Sequence, residues 1–412
     1  MSPDADALRF GLLVLAGSGA ALLAVQSHRL TARLRVPAPA LFLLAAVLVV
    51  TLVPGVQPPP ERTVERVVTV ALVVILFDGG LHLGRRRLRG SLGPVLSMGV
   101  LGTFATVAGT AVLAAFLLDV NAYAAVLLAT AIAPTDPAVV FSVLGQQEVE
   151  GRSGTILEGE SGANDPVGIA LLTALLAAGS LSSGAVSQAL GTFALQLAVG
   201  AAVGLLGGRG LLLLWRRLPL PGEGLYAVRV LVGAGTVFGL ATVAHGSGFL
   251  AAFVAGIVLA DEPAPYKAEV ERFHAALASL SEIVAFFVLG LTVDVHVLFR
   301  TDVWLPGLVL GALLAVVLRP VLAGPFLLPA RLTRGELAFV LLAGLKGAVP
   351  LLLGTLLRPL PGGERLYGVV VVVTGLSVVL QGATVPTLAR RLGLQLTRRE
   401  PPGELVDPAA AG

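Results

Sequence analysis

Acids set beside prolines inside long apolar runs are where this chain can do chemistry. One such place reads Ala131-Ile-Ala-Pro-Thr-Asp-Pro137 and another Glu158-Gly-Glu-Ser-Gly-Ala-Asn-Asp-Pro166. Asp136 and Asp165 each stand directly before a proline, 29 residues apart. An ionisable side chain at membrane depth costs several kcal/mol unless it is paired, hydrated or protonated, so it marks a functional site. Six charges lie well inside apolar runs: Asp78, Asp136, Glu160, Asp165, Arg319 and Lys346. Four acids against two bases sum to −2 when all are ionised. A buried net-negative cluster needs a compensating cation or a proton, and a site that accepts either one is the basis of antiport.

Ser161 and Asp165 are spaced i,i+4 and share one helix face, while Glu160 and Asn164 share the neighbouring face. Serine hydroxyl and aspartate carboxylate oxygens are hard ligands suited to an alkali cation. Thr135 and Asp136 lie where Pro134 and Pro137 break their run. Proline removes an amide donor and so frees backbone carbonyls that can also ligate. Gly344-Leu-Lys-Gly-Ala-Val-Pro350 is a comparable weak point late in the chain. Two readings of Asp136 stand side by side, ion ligand and cap of the helix break. Asp78, in Phe77-Asp-Gly-Gly-Leu81, likewise reads as ion ligand or as a polar packing group. Arg319 stays protonated and is expected to pair with Glu160. Lys346 is placed to offset the negative ends of two facing half-helices, and Asn164 to cap a free helix end. His82, His245, His274 and His296 fall near the ends of runs, where wetted imidazoles are expected. Glu282 and Asp294 flank Phe286-Phe-Val-Leu-Gly290 and read as interfacial or funnel residues.

These side chains need elements to hold them, and the composition says which. The chain of 412 residues is 56% hydrophobic with a mean hydropathy of +0.91. Charged residues make up 13%, against about 25% in soluble proteins. Repeated apolar runs of this length read as transmembrane helices. Thirteen spans are expected, at about 7–26, 36–53, 65–83, 92–118, 122–144, 155–178, 185–206, 225–244, 247–260, 276–298, 303–328, 335–357 and 366–388. The fold class is an all-α polytopic membrane protein with inverted repeats and two interrupted helices crossing at the midplane. Counted at ~1.5 Å per residue from the basic loops, the intramembrane charges lie roughly 13–24 Å deep and form one cluster. Of 28 Lys and Arg, 19 fall in alternate loops on one side and six on the other. The positive-inside rule then puts the N-terminus outside and the C-terminus in the cytoplasm of an integral plasma-membrane protein. Asp4 and Asp6 open the chain where a signal peptide would be basic, so the first span is read as a retained helix. One transmembrane domain is expected over 1–399, followed by a short tail at 400–412. Glycines such as Gly102, Gly109, Gly200, Gly204, Gly233, Gly235 and Gly239 read as close-packing positions. The net charge of +3 is scattered and offers no nucleic-acid surface. With no cysteine, disulfides and thiolate metal sites are excluded.

The motifs together resemble the monovalent cation:proton antiporter family, in its first branch of NhaP and NHE-type sodium or potassium/proton exchangers. Ala133-Pro-Thr-Asp-Pro137 resembles the family's unwound-helix motif, and Glu160-Ser-Gly-Ala-Asn-Asp-Pro166 its Glu-Ser-x-x-Asn-Asp motif. Phe77-Asp-Gly-Gly80, Gly246-Ser-Gly-Phe-Leu-Ala251, Arg319-Pro320 and Gly344-Leu-Lys-Gly-Ala-Val-Pro350 recur in family order. The resemblance implies exchange of Na⁺ or K⁺ for H⁺, with Asp165 binding either in competition and Thr135 and Ser161 as further alkali-cation ligands. It implies that Asp78 helps bind the ion, as in some members, and that Glu160 and Arg319 form a structural pair. The Asn164-Asp165 pair resembles the electroneutral branch. A homodimer is implied, with a mobile core at about 92–178 and 303–388 and the remaining helices as dimerisation scaffold. Lys346 stands where many members carry arginine, and the cytoplasmic regulatory domains of many potassium/proton members are absent. Neither a cofactor nor enzyme activity is expected; the substrates are the alkali cation and the proton.

Three rivals stand beside this reading. An anion or organic-solute transporter on a related inverted-repeat fold is disfavoured by the net-negative cluster. An intramembrane serine protease rests on Gly159-Glu-Ser-Gly162, with His245 as base, and has no second motif. A channel suits the doubly broken helices less well than an occluding transporter does.

Overall fold

Runs of Leu, Val and Ala too long for a soluble core become helices, because a chain in hydrocarbon must satisfy its own backbone. The computed structural model describes residues 37–398 except 54, 55, 145, 146 and 150, together with isolated helical positions between 8 and 22. The rest of the expected first span, the basic residues Arg29, Arg33, Arg35 and Arg399, and the tail at 400–412 lie outside the described residues.

Along the chain the main helices are α1 (Ala38–Leu52), α2 (Glu61–Leu83), α3 (Leu92–Leu118), α4 (Ala122–Ala131), α5 (Pro137–Leu144), α6 (Arg152–Ala178) and α7 (Ser183–Arg217). There follow α8 (Glu223–Val243), α9 (Gly248–Ala260), α10 (Lys267–Gly290), α11 (Thr301–Ala330), α12 (Arg334–Leu342), α13 (Ala348–Thr355) and α14 (Gly363–Arg391). Seven of them (α3, α6, α7, α8, α10, α11 and α14) are long and apolar enough to cross a membrane, and α1, α4 and α9 are shorter apolar helices. The expected spans at 122–144 and 335–357 each resolve into two half-helices, α4 with α5 and α12 with α13.

Several ends are written locally. Asn121 caps α4, Ser182 caps α7 and Ser247 caps α9, each accepting a backbone N–H with its side-chain oxygen. Thr333 and Glu336 close a capping box on α12. Gly200, Gly204 and Gly208 let α7 lie close against Ser247, Ala251 and Ala255 of α9. Gly235 and Gly239 of α8, by contrast, have no neighbouring chain within 4 Å.

The fold is all-α in architecture; beside the helices, Gln147–Val149 pairs antiparallel with Leu396–Arg398, with Glu148 opposite Thr397. α10 begins at Lys267 and not at 276, because its charged first turns continue the helix, and it stops at Gly290. His274 is therefore no wetted imidazole; it is fully buried, its Nδ1 2.8 Å from Val270 O and its ring beside Phe77. α6 runs unbroken through Pro166, and the two expected interruptions are those between α4 and α5 and between α12 and α13.

Between α9 and α10, Glu262 binds Arg85 and also accepts from Arg216 Nη2 at 2.7 Å. The Arg216 hydrogen bond holds its carboxyl below the ordinary value.

Candidate functional site

α4 stops at Ala131 because Pro134 has no N–H to carry the next turn. α5 restarts with Pro137 in the first helical position, where a missing N–H is harmless. Asp136 caps this restart: its Oδ1 accepts from Ala138 N at 2.8 Å. Between the half-helices, residues 133–136 are non-helical.

α6 holds this opened strip by its polar face. Asn164 Nδ2 donates to Thr135 Oγ1 at 2.8 Å and to Glu160 Oε1 at 3.1 Å, and its Oδ1 accepts from Thr135 N at 3.3 Å. Ser161 Oγ donates to Thr135 O. Asn164 thus binds the extended backbone and does not cap a helix end, contrary to expectation. The break frees the Thr135 amide from helical bonding, and the Asn164 oxygen satisfies it.

The second break, residues 343–347, meets the first. Asp136 N donates to Leu345 O at 2.8 Å. Lys346 Nζ donates to Ala133 O at 2.9 Å and to Pro134 O at 3.2 Å, across the negative end of α4. Gly347 is required here: a Cβ would strike the Asp136 carboxylate, and one on Gly344 would strike the Arg319 guanidinium.

Glu160 and Arg319, expected to pair, stand 2.8 Å apart with both side chains buried. Arg319 also does something the sequence reading missed. Its Nε donates to Leu341 O at 3.0 Å and its Nη2 to Val340 O at 3.4 Å, so it satisfies carbonyls at the end of α12.

Asp165 is different from all of these. It is 8% exposed, and its Oδ1 is buried without a hydrogen-bond partner among the described residues. The charges of Asp136, Glu160 and Lys346 act on it. Of the acids beside the first break, Glu160 is paired with Arg319 and Asp136 caps α5, whereas Asp165 Oδ1 has neither kind of partner among the described residues. Two neutral oxygens, Ser161 Oγ and Thr135 Oγ1, lie along the contact between α6 and the first break. No group of three His, Asp or Glu able to hold a metal ion occurs among the described residues. An alkali cation, bound by few charges and several neutral oxygens, does not require one.

Asp78 is not drawn into this set of bonds. Its Oδ2 lies 3.3 Å from His82 Nδ1, and its Oδ1 is buried without a hydrogen bond. Glu282 is half-buried, its Oε1 is buried and without a hydrogen-bond partner among the described residues, and the charge of Asp136 acts on it. Ser377 and Gln381, which bind the second break, were also missed. Their signal was present: two polar residues spaced i,i+4 in an otherwise apolar span. For a serine protease the arrangement is wrong, because Ser161 Oγ donates to Thr135 O and His245 is exposed at the end of α8.

A family model described as "Sodium/hydrogen exchanger, transmembrane" matches residues 19–391. Among curated proteins, the K(+)/H(+) antiporter NhaP2 of Shewanella sp. (strain ANA-3) is 32% identical over 401 residues, covering 95% of this chain and 69% of that protein. The Na(+)/H(+) antiporter NhaP of Pseudomonas aeruginosa is 26% identical over 356 residues, covering 80% of this chain and 81% of that one. Among solved structures, the sodium proton antiporter MjNhaP1 from Methanocaldococcus jannaschii at pH 8 matches with a TM-score of 0.76 at 20% identity, over 94% of this chain and 99% of that one. This last likeness concerns the fold alone.

Proposed function

Because this chain belongs to the sodium/hydrogen exchanger family, we propose that it exchanges a monovalent cation, K⁺ or Na⁺, for H⁺ at Asp165. The observation that carries the assignment is the orphaned, buried Oδ1 of Asp165 beside an opened backbone. A carboxylate in that position is stable only with a proton or a cation on it. The two guests compete for one carboxylate. Ser161 and Thr135 supply neutral oxygens to the cation, and carbonyls of the first break can complete its shell. Asp136 serves as cap of α5 and as a second negative charge near the guest. Asn164 holds the strip in place and cannot itself titrate. One carboxylate therefore carries one cation one way or one proton the other, which makes the exchange electroneutral. Asp78, bound to His82, stands outside this first set of ligands.

K⁺ ranks first, since the relatives matched over nearly the whole chain are named K(+)/H(+) antiporters. Alternating access is assigned to rigid-body motion of a core holding both breaks against the remaining helices, within a homodimer. The skew of basic residues supports an outside N-terminus and a cytoplasmic C-terminus in the plasma membrane.

The test is proton flux in proteoliposomes with a pH-sensitive dye, adding K⁺, Na⁺ or Li⁺ in turn. Cation-dependent dequenching is expected in the wild type and is abolished by Asp165→Asn. Folded, inserted protein that ignores all three cations, or that still exchanges with Asp165→Asn, overturns the reading.

A further inference from the structure

α14 opens into a π-turn over Ser377–Gln381, a form that recurs at functional sites. Its two polar side chains take no part in the exchange chemistry above, yet they grip the second break at both ends. Ser377 Oγ accepts from Lys346 N at 3.0 Å and donates to Gln381 Oε1 at 2.8 Å. Gln381 Nε2 donates to Leu342 O at 2.8 Å. Leu342 is the last residue of α12, and Lys346 lies one residue before the cap of α13. A continuous path of three hydrogen bonds thus spans the unwound segment.

The chemistry of each residue is specific. The hydroxyl of Ser377 accepts from one neighbour and donates to the other, and the amide of Gln381 does the same. An alanine does neither, and a glutamate in place of Gln381 keeps the acceptor but loses the donor. A small pocket lined by Arg319, Gly344, Lys346, Ser377 and Gln381 lies beside this contact, so the two side chains that bridge the break also border open space.

We propose that Ser377 and Gln381 are positioning residues for cation exchange. By fixing Lys346 N and Leu342 O they set where the Lys346 ammonium meets the carbonyls of Ala133 and Pro134, and where Leu345 O receives Asp136 N. Both contacts shape the Thr135–Asp136 strip that faces the guest of Asp165. The proposal rests on the exchange reading of the Asp165 site.

The test measures KM for K⁺ and for Na⁺, and the maximal rate, in proteoliposomes of wild type, Ser377→Ala, Ser377→Thr, Gln381→Glu and Gln381→Met. Gln381→Met preserves length and bulk but no hydrogen bond, so it is a second route where Ser377→Ala does not reconstitute. Loss of either residue is expected to raise KM about fivefold, the size of one lost hydrogen bond, with a smaller change in maximal rate. Ser377→Thr keeps the hydroxyl and is expected to restore the wild-type KM. A wild-type KM in Ser377→Ala or Gln381→Met, or a rise in Ser377→Thr equal to that in Ser377→Ala, overturns the proposal alone. No cation-dependent flux in the wild type overturns the exchange reading, and this proposal with it.

Discussion

The two helix breaks lie against each other but are made by different means. The first, at 132–136, is cut by Pro134 and Pro137 and is held by side chains of α6 and by Lys346 and Leu345 O of the second break. The second, at 343–347, contains no proline before Pro350 and is held from three sides: Arg319 of α11, Ser377 and Gln381 of α14, and Asp136 of the first break. A proline break is written into the local chain, because the ring removes the amide wherever it stands. A glycine break is only permitted locally and has to be imposed by neighbours. The charges divide in the same way. The first break exposes carbonyls, and the second supplies the ammonium of Lys346 that answers them. The first break is thus locally determined, while its counter-charge depends on tertiary structure.

The contrast can be broken most forcefully at Arg319. Arg319→Ala strands the buried Glu160 carboxylate and also frees the last carbonyls of α12. The expected cost is about 3–5 kcal/mol, read as a lower melting temperature in detergent. A companion Glu160→Gln change is expected to recover part of the loss, by removing the stranded charge while the α12 carbonyls remain uncapped. An unchanged melting temperature for Arg319→Ala would show that the second break holds itself.

Gly347→Ala comes next. The added Cβ meets the Asp136 carboxylate, and overpacking of this kind costs about 1–3 kcal/mol. The same variant should lose most cation-dependent flux, because Asp136 cannot stay both as cap and clear of the methyl. Pro137→Ala, its counterpart in the first break, should be milder, since Asp136 and Asn164 still hold the strip; equal effects of the two would dissolve the distinction.

Asn164→Ala removes three hydrogen bonds, two to Thr135 of the first break and one to Glu160. A cost of about 1–3 kcal/mol is expected from the amide and hydroxyl left unpaired. Transport assays on the variant should show a weaker cation affinity, because Thr135 is released. Retention of wild-type affinity would mean that Ser161 alone holds the strip.

The smallest effect lies away from both breaks and serves as their control. Glu262 has its carboxyl held low, first by the hydrogen bond from Arg216. A depressed folded-state value contributes stability above the ordinary carboxylate range and loses it as pH falls through the folded value. Glu262→Gln should therefore separate slightly from wild type in thermal melts near neutral pH and converge with it in acid. A difference that grows in acid would reverse the sign and place the effect elsewhere.

Pro134, Asp136 and Pro137 announced an interrupted helix, and Asn164 and Asp165 announced a polar face at helical spacing. The pairing of Glu160 with Arg319 followed from charge balance between two buried groups of opposite sign. The second bond set of Arg319, to Val340 and Leu341, did not, because a guanidinium has five donors and the sequence names no acceptors. Asp78 looked like a member of the cluster by depth alone, yet depth says nothing about the azimuth of a side chain on its helix, and it turned to His82. His274 lies inside a helix because the charged residues from Lys267 to Arg272, loop-like by hydropathy, form its first turns.

By itself, the sequence determined that this is a membrane protein of long apolar helices, with a proline-cut strip and an acid that needs a guest. Those conclusions depend only on hydropathy, on the missing amide of proline and on the cost of burying charge, all of which are local or additive. The tertiary structure alone decided that the two breaks touch, that Lys346 lands on the carbonyls of Ala133 and Pro134, and that Ser377 and Gln381 clasp the far segment. Hydrogen bonds are short and directional, so a pair 213 residues apart in the chain, such as Lys346 and Ala133, exists only once the helices between them have packed.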